Sequence, residues 1–202
     1  MRLGAAGILR RSPGPGRRGG RPLWWLAVPT LLLLTWSVLA GYFVVTQVQT
    51  RLVAGTYVLD AQIHYRFSPE ALEALNNGVP LTILMQFQVR PKDAWIWDSN
   101  VTELQLRYVI RHKPLSDTYE VYRLPGTSGR TFVTPAAAIA ALGEIRGLEL
   151  VEQSCLEPET AYEVQLKVSL DIEELPLPLR PTAYLSGAWK LTSPWTKWPL
   201  TP

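Results

Sequence analysis

Two histidines, His64 and His112, and one cysteine, Cys155, are the side chains of this 202-residue chain best suited to proton exchange or nucleophilic attack near neutral pH. Their surroundings in the sequence build no reaction centre. His64 shares the polar face of an alternating stretch with Asp60, Gln62 and Arg66, and His112 follows Arg111 at the end of another, so both are expected in solvent. Cys155 lies between Ser154 and Leu156 with no Lys, Arg or His beside it to lower its pKa, and is expected as a small buried hydrophobe. A single cysteine also excludes an internal disulfide. The chain has no His-x-x-x-His or Cys-x-x-Cys pair and no dense acidic cluster for a metal. It has no glycine-rich phosphate loop and no Gly-x-Ser-x-Gly elbow. Glu173 and Glu174 are chain neighbours, so their carboxylates point apart. The sequence therefore reads as a protein that is not an enzyme, with no catalytic, cofactor-binding or metal-binding residue.

Tryptophan is what remains for contact chemistry. Trp95 and Trp97 flank Ile96 in a loop opened by Arg90-Pro91-Lys92-Asp93, and Trp189, Trp195 and Trp198 crowd the C-terminus among prolines. Tryptophan in a loop can anchor a partner, because its ring supplies a large contact area at small entropic cost. The competing reading is that Trp95 or Trp97 folds back over the open end of a sheet.

These side chains must be held by β-structure. Tyr162, Val164, Leu166, Val168, Leu170 and Ile172 alternate without error against Glu163, Gln165, Lys167, Ser169 and Asp171. Period two with one wet face is a half-buried antiparallel strand. The same alternation runs through 81–90 and 103–111, and further strands are expected at 44–53, 57–67, 118–124 and 182–192. Ala54-Gly55 joins the first pair as a hairpin. Ser68-Pro69-Glu70 caps a helix that Asn76-Asn77-Gly78 stops, and Thr134-Pro135 opens a second, whose AAAIAALGEIR composition predicts helix as far as Gly147. Leu175-Pro176-Leu177-Pro178-Leu179 reads as a stiff crossover between the last two strands. The expected fold is α+β and β-rich: a curved antiparallel sheet or open barrel of about six or seven strands with two helices.

Charge separates the N-terminus from this domain. The chain carries 20 basic and 17 acidic side chains, but Arg2, Arg10, Arg11, Arg17, Arg18 and Arg21 all precede the apolar run. Without those six the body holds 14 basic against 17 acidic groups, a net charge of −3, so the basic pI is no sign of nucleic acid. From Leu23 to Val45 no residue is charged, long enough at about 1.5 Å per residue to cross a hydrocarbon core. The flanking arginines predict Met1 on the cytoplasmic side and the body outside. The expected organisation is an arginine-rich disordered cytoplasmic tail over 1–22, a transmembrane anchor or signal segment over 23–43, and an extracytoplasmic β-rich domain over 44–202. Retention gives a single-pass inner-membrane protein with its domain in the periplasm; cutting between Ala40 and Gly41, after Val38-Leu39-Ala40, gives a soluble periplasmic one.

Seven segments also share an order with one family: GTYVLDA at 55–61, ALNNGVPLT at 74–82, WIWD at 95–98, RHKPLSDTY at 111–119, LEPETAY at 156–162, LDIEELPLPLR at 170–180 and WKLTSPW at 189–195. Together they resemble the bacterial domain-of-unknown-function family 4390, sometimes called proline-rich signal peptide proteins, over about residues 44–200. The resemblance implies residence in a Gram-negative envelope and brings no activity, substrate or catalytic residue. Genes of that family tend to lie beside a membrane sensor kinase of the nitrogen-regulation type, which implies a signalling partner. The combined expectation is a membrane-anchored or exported envelope module that binds a protein partner such as a sensor kinase. The alternative is a carrier holding an apolar ligand such as lipid in its curved sheet. N-terminal sequencing of the mature protein separates the two fates of the leader: we expect the intact anchor, and a chain starting at Gly41 overturns it.

Overall fold

The computed structural model describes residues 42–93 and 100–200. The tail, the apolar segment through Gly41, including Ala40, and the loop holding Trp95 and Trp97 lie outside the described residues, whereas Tyr42 and Phe43, expected at the end of the membrane segment, are strand residues. No helix among the described residues is long and apolar enough to cross a membrane.

Strands β1 (Tyr42–Val53) and β2 (Thr56–Arg66) form an antiparallel hairpin. Its turn residues Ala54 and Gly55 both have positive φ, 50° and 84°, as a two-residue turn matching the strand twist requires. Helix α1 (Pro69–Asn76) follows, with the Ser68 side chain accepting from the Ala71 N–H. At its other end Gly78 takes φ of 84°, its N–H bonds the Leu75 carbonyl, and the Val79 N–H bonds the Ala74 carbonyl. That pair of bonds closes the helix and turns the chain into β3. Strands β3 (Leu81–Pro91), β4 (Thr102–Lys113), β5 (Thr118–Arg123) and β6 (Arg130–Phe132) come next, then α2 (Pro135–Leu142), β7 (Glu144–Glu152) and β8 (Tyr162–Leu170). A short helix α3 (Arg180–Leu185) and the final strand β9 (Thr196–Pro199) end the described chain.

Two antiparallel sheets share one core. The smaller has the order β1-β2-β7 and the larger β6-β5-β4-β3-β8-β9. β3 lies inside the larger sheet, and its inward residues Leu81, Ile83, Met85, Phe87 and Val89 are all exposed by 1% or less. Against them pack Leu59 and Ile63 from β2 and Phe43 from β1. The α+β, β-rich class is as expected. The sheet is divided in two and does not close into a barrel, and among the described residues nine strands and three helices replace the smaller numbers read from the sequence.

Three differences have physical causes. The helix expected to reach Gly147 stops at Leu142, because Gly143 lies directly against β2: its carbonyl accepts from the Ile63 N–H at 2.8 Å, and a Cβ there would sit 2.1 Å from the Ile63 oxygen. Glu144 then pairs with Gln62 and the chain continues as β7. The strand expected at 182–192 is α3 followed by a single 3-10 turn, Gly187–Trp189, since Pro181 suits a first helical turn and the Ser186 hydroxyl accepts from the Ala188 N–H. Cys155, expected in the core, is exposed on the 3-10 turn after β7. Truncating the core should separate from truncating the surface. In urea denaturation of the chain, Phe87→Ala is expected to cost about 3–5 kcal/mol, whereas Leu115→Ala on the exposed β4–β5 turn should change stability by less than about 0.5 kcal/mol.

Candidate functional site

The two histidines part company. His64 is exposed on the outer face of β2, opposite Val44. His112 is not in solvent: its side chain is 10% exposed and both ring nitrogens are engaged. Nδ1 lies 2.8 Å from the Asn76 carbonyl and Nε2 3.1 Å from an Asp117 carboxylate oxygen. The ring stacks on Tyr119 at 4.6 Å, and the Tyr119 hydroxyl donates to the Asn76 side chain at 2.9 Å. The assembly fastens the end of α1 to the β4–β5 turn. Among the described residues no group of three or more His, Cys, Asp or Glu is placed to hold a metal ion.

Of the tryptophans, Trp189 is 6% exposed and belongs to the core, so it offers no surface to a partner. Trp198 sits on β9 opposite Val164 and packs against the same core. Trp195 is 37% exposed, with the Lys167 ammonium 5.9 Å from its ring centre. Of these three, Trp195 is the one exposed to solvent; Trp95 and Trp97 lie outside the described residues, as do Ala40 and Gly41.

The sheets present a feature that the sequence reading missed, a long strand edge. Among the described residues β1 is hydrogen-bonded as a strand only to β2, and its twelve residues span about 40 Å along its other side. Proteins shield such edges with charge, proline, bulges or brevity, because unpaired N–H and C=O groups recruit other strands. The remaining three edges are shielded. β7 carries Glu144, Arg146, Glu149 and Glu152 and has two register shifts against β2; β6 is three residues long; β9 is four, preceded by Pro194 and ending at Pro199. On β1 the single charge is Arg51, tied to Asp60, and one bulge stands between Val45 and Gln47, where the Thr46 hydroxyl donates to the Gln62 carbonyl. Val44 and Val53 are 38% and 46% exposed.

A second feature is a cleft of about 530 Å³ between β4 and β7, which are not hydrogen-bonded to each other. Leu104, Leu106 and Tyr108 line it from β4, and Ile145 and Leu148 from β7. Arg123, Arg130 and Arg146 stand at its rim with Glu144 and Glu149. On the other side of β7, Asp60 accepts from the Arg51 guanidinium and from the Gly147 N–H, and these hold its carboxyl below the usual range. Gly147 has φ of 63° and marks the bulge that bends β7 away from an even ladder.

The sequence model of a domain of unknown function, DUF4390, matches residues 40–199, which takes in every strand and helix described above. The chain belongs to the DUF4390 family. No curated protein and no solved structure matches it.

Among the described residues of this DUF4390 domain the most buried charge is Glu120, 4% exposed on β5. It accepts from Lys113 at 2.9 Å and from Arg111 at 2.8 Å, its partner in the β4–β5 register. The Lys113 ammonium, then the Arg111 guanidinium, hold the Glu120 carboxyl below its ordinary value of 4.5. Its folded pKa is depressed, so its contribution to stability is complete above about pH 4.5 and is lost as pH falls through the lower folded value. Glu120→Gln is therefore expected to cost about 1 kcal/mol at pH 7. Chemical denaturation at a series of pH values should show a shallower loss below pH 4.5 in the variant than in the parent chain.

Proposed function

We propose that this domain is a non-enzymatic envelope module that binds a protein partner by adding an extended segment of that partner to the free edge of β1. The unshielded β1 edge is the observation that carries the reading. Strand addition takes its affinity from main-chain hydrogen bonds and its selectivity from side chains on alternate faces. β1 suits both, since Phe43 and Val45 fix it to the core while Val44, Gln47 and Gln49 face outward.

The chain's order favours the same edge. The uncharged run from Leu23 ends within β1, so a retained anchor would leave the domain on the periplasmic side with β1 as its first strand. A partner reached there is a membrane protein with its own extracytoplasmic part, and a sensor kinase of the kind implied by the family resemblance has that form. His112 and Glu120 are both occupied in structural contacts, which favours binding over catalysis.

A photoreactive benzoylphenylalanine at Gln47 of the full-length chain, irradiated in intact membranes, tests this. We expect one discrete adduct with another membrane protein, reduced at least about fivefold by Val44→Lys with Gln49→Lys, substitutions that shield an edge in the way natural strands are shielded. The same probe at Leu115, on the exposed β4–β5 turn of the larger sheet, should give no such adduct. An adduct from Leu115 alone, or one unaffected by the lysines, overturns strand addition; an adduct with the mass of two copies replaces the foreign partner by self-pairing.

A further inference from the structure

The cleft between β4 and β7 marks where the two sheets fail to meet. Every inward residue of β3 is essentially dry, yet Leu104 and Tyr108, on the same face of the adjacent strand, stay half-buried, as does Leu148 across the gap on β7. Leu106 and Ile145 are buried beneath them. Apolar groups that face a core but remain wet gain free energy when an apolar molecule covers them. The rim is charged. Arg146 is paired with Glu144, and Glu149 has no cationic partner among the described residues. Arg123 and Arg130 have no carboxylate partner there either; the Arg130 guanidinium lies 5.2 Å from the Phe132 ring centre. Three cations against two anions leave the rim net positive, with two guanidiniums available.

We propose that the cleft binds a single-chain anionic amphiphile, a long-chain fatty-acid carboxylate. The hydrocarbon lies along Leu104, Tyr108 and Leu148, and the carboxylate sits between Arg123 and Arg130. A planar carboxylate matches the fork of a guanidinium, which a neutral headgroup does not. The volume, about 530 Å³, falls within the roughly 300–1,000 Å³ of small-molecule sites. The site is independent of the β1 edge, on the other strand margin of the smaller sheet.

Hexadecanoic acid carrying a mid-chain diazirine is the probe, added to the full-length chain in nanodiscs of zwitterionic phospholipid, with the matching diazirine alcohol as its neutral counterpart. Peptide mass spectrometry should place the acid's adducts on residues 104–108 and 144–149, at least about tenfold above those of the alcohol, the ratio expected from a charge-assisted pair. Arg123→Gln with Arg130→Gln, both exposed, should lower this labelling about tenfold with no change in thermal midpoint. Equal labelling by the alcohol, labelling that survives the double substitution in a folded chain, or adducts scattered according to exposure would each overturn the proposal.

Discussion

The contact of Gly143 with Ile63 decides where the smaller sheet ends and what its margins look like. The Gly143 carbonyl takes the Ile63 N–H, and the Ile63 oxygen stands where a side chain would begin, so the backbone can cross β2 only at a residue without a Cβ. Because the chain leaves α2 at that point, Glu144 comes out paired with Gln62 and β7 runs along β2. Two consequences follow from this one placement. β7 covers one side of β2, leaving β1 as the outer strand of the smaller sheet among the described residues. β7 also stops short of β4, and the gap is the cleft. The edge and the cleft are thus opposite margins of one sheet, set by a single close approach.

An edge can template another strand only if it is held straight. β1 is held by aromatic packing at its start: the Phe43 ring meets Tyr65 edge-on at 4.9 Å and Phe67 at 5.4 Å. Such pairs add specific geometry to the burial of large rings. Further along, the Thr46 bond and the Arg51–Asp60 pair fix the outer face. The strand therefore has an ordered inner face joined to the common core and, among the described residues, no strand paired to its other side. A frayed terminal strand has neither, since few buried contacts hold it.

Much of the larger sheet was legible, because local pattern and final environment agree there. Residues 162–170 alternate in sequence, and in β8 the apolar positions are buried and the polar ones partly buried, except Gln165, which is buried too. Ser68, Pro69 and Gly78 behaved as helix signals act wherever the chain is punctuated locally. What was hidden depends on distant partners. Alanine-rich sequence after Thr134 has high helix propensity, and nothing near it reveals that Ile63, eighty residues earlier, ends the helix at Gly143. β6 and β9, at three and four residues, are too short to show a period and exist by pairing with β5 and β8. His112 was read as solvated because Asn76 and Tyr119 reach it only after folding. The cleft arginines come from three strands and share no spacing at all.

The charges of the domain show why composition misled about local potential. The body carries a net −3, yet several of its acids are committed to bases: Glu120 to Lys113 and Arg111, Asp60 to Arg51, Asp171 to Arg107, Glu163 to Lys197. Each lies where the strand register puts opposite charges side by side or the fold brings an acid to a base. Exposed pairs of this kind contribute little to stability individually. Their larger effect is on where uncompensated charge remains. Arg123 and Arg130 sit at the end of β5 and the start of β6, where the short β6 pairing brings no acid opposite them. A negatively charged domain can thus hold a positive rim, and it does so where the sheets separate and the apolar face of β4 is open to a ligand.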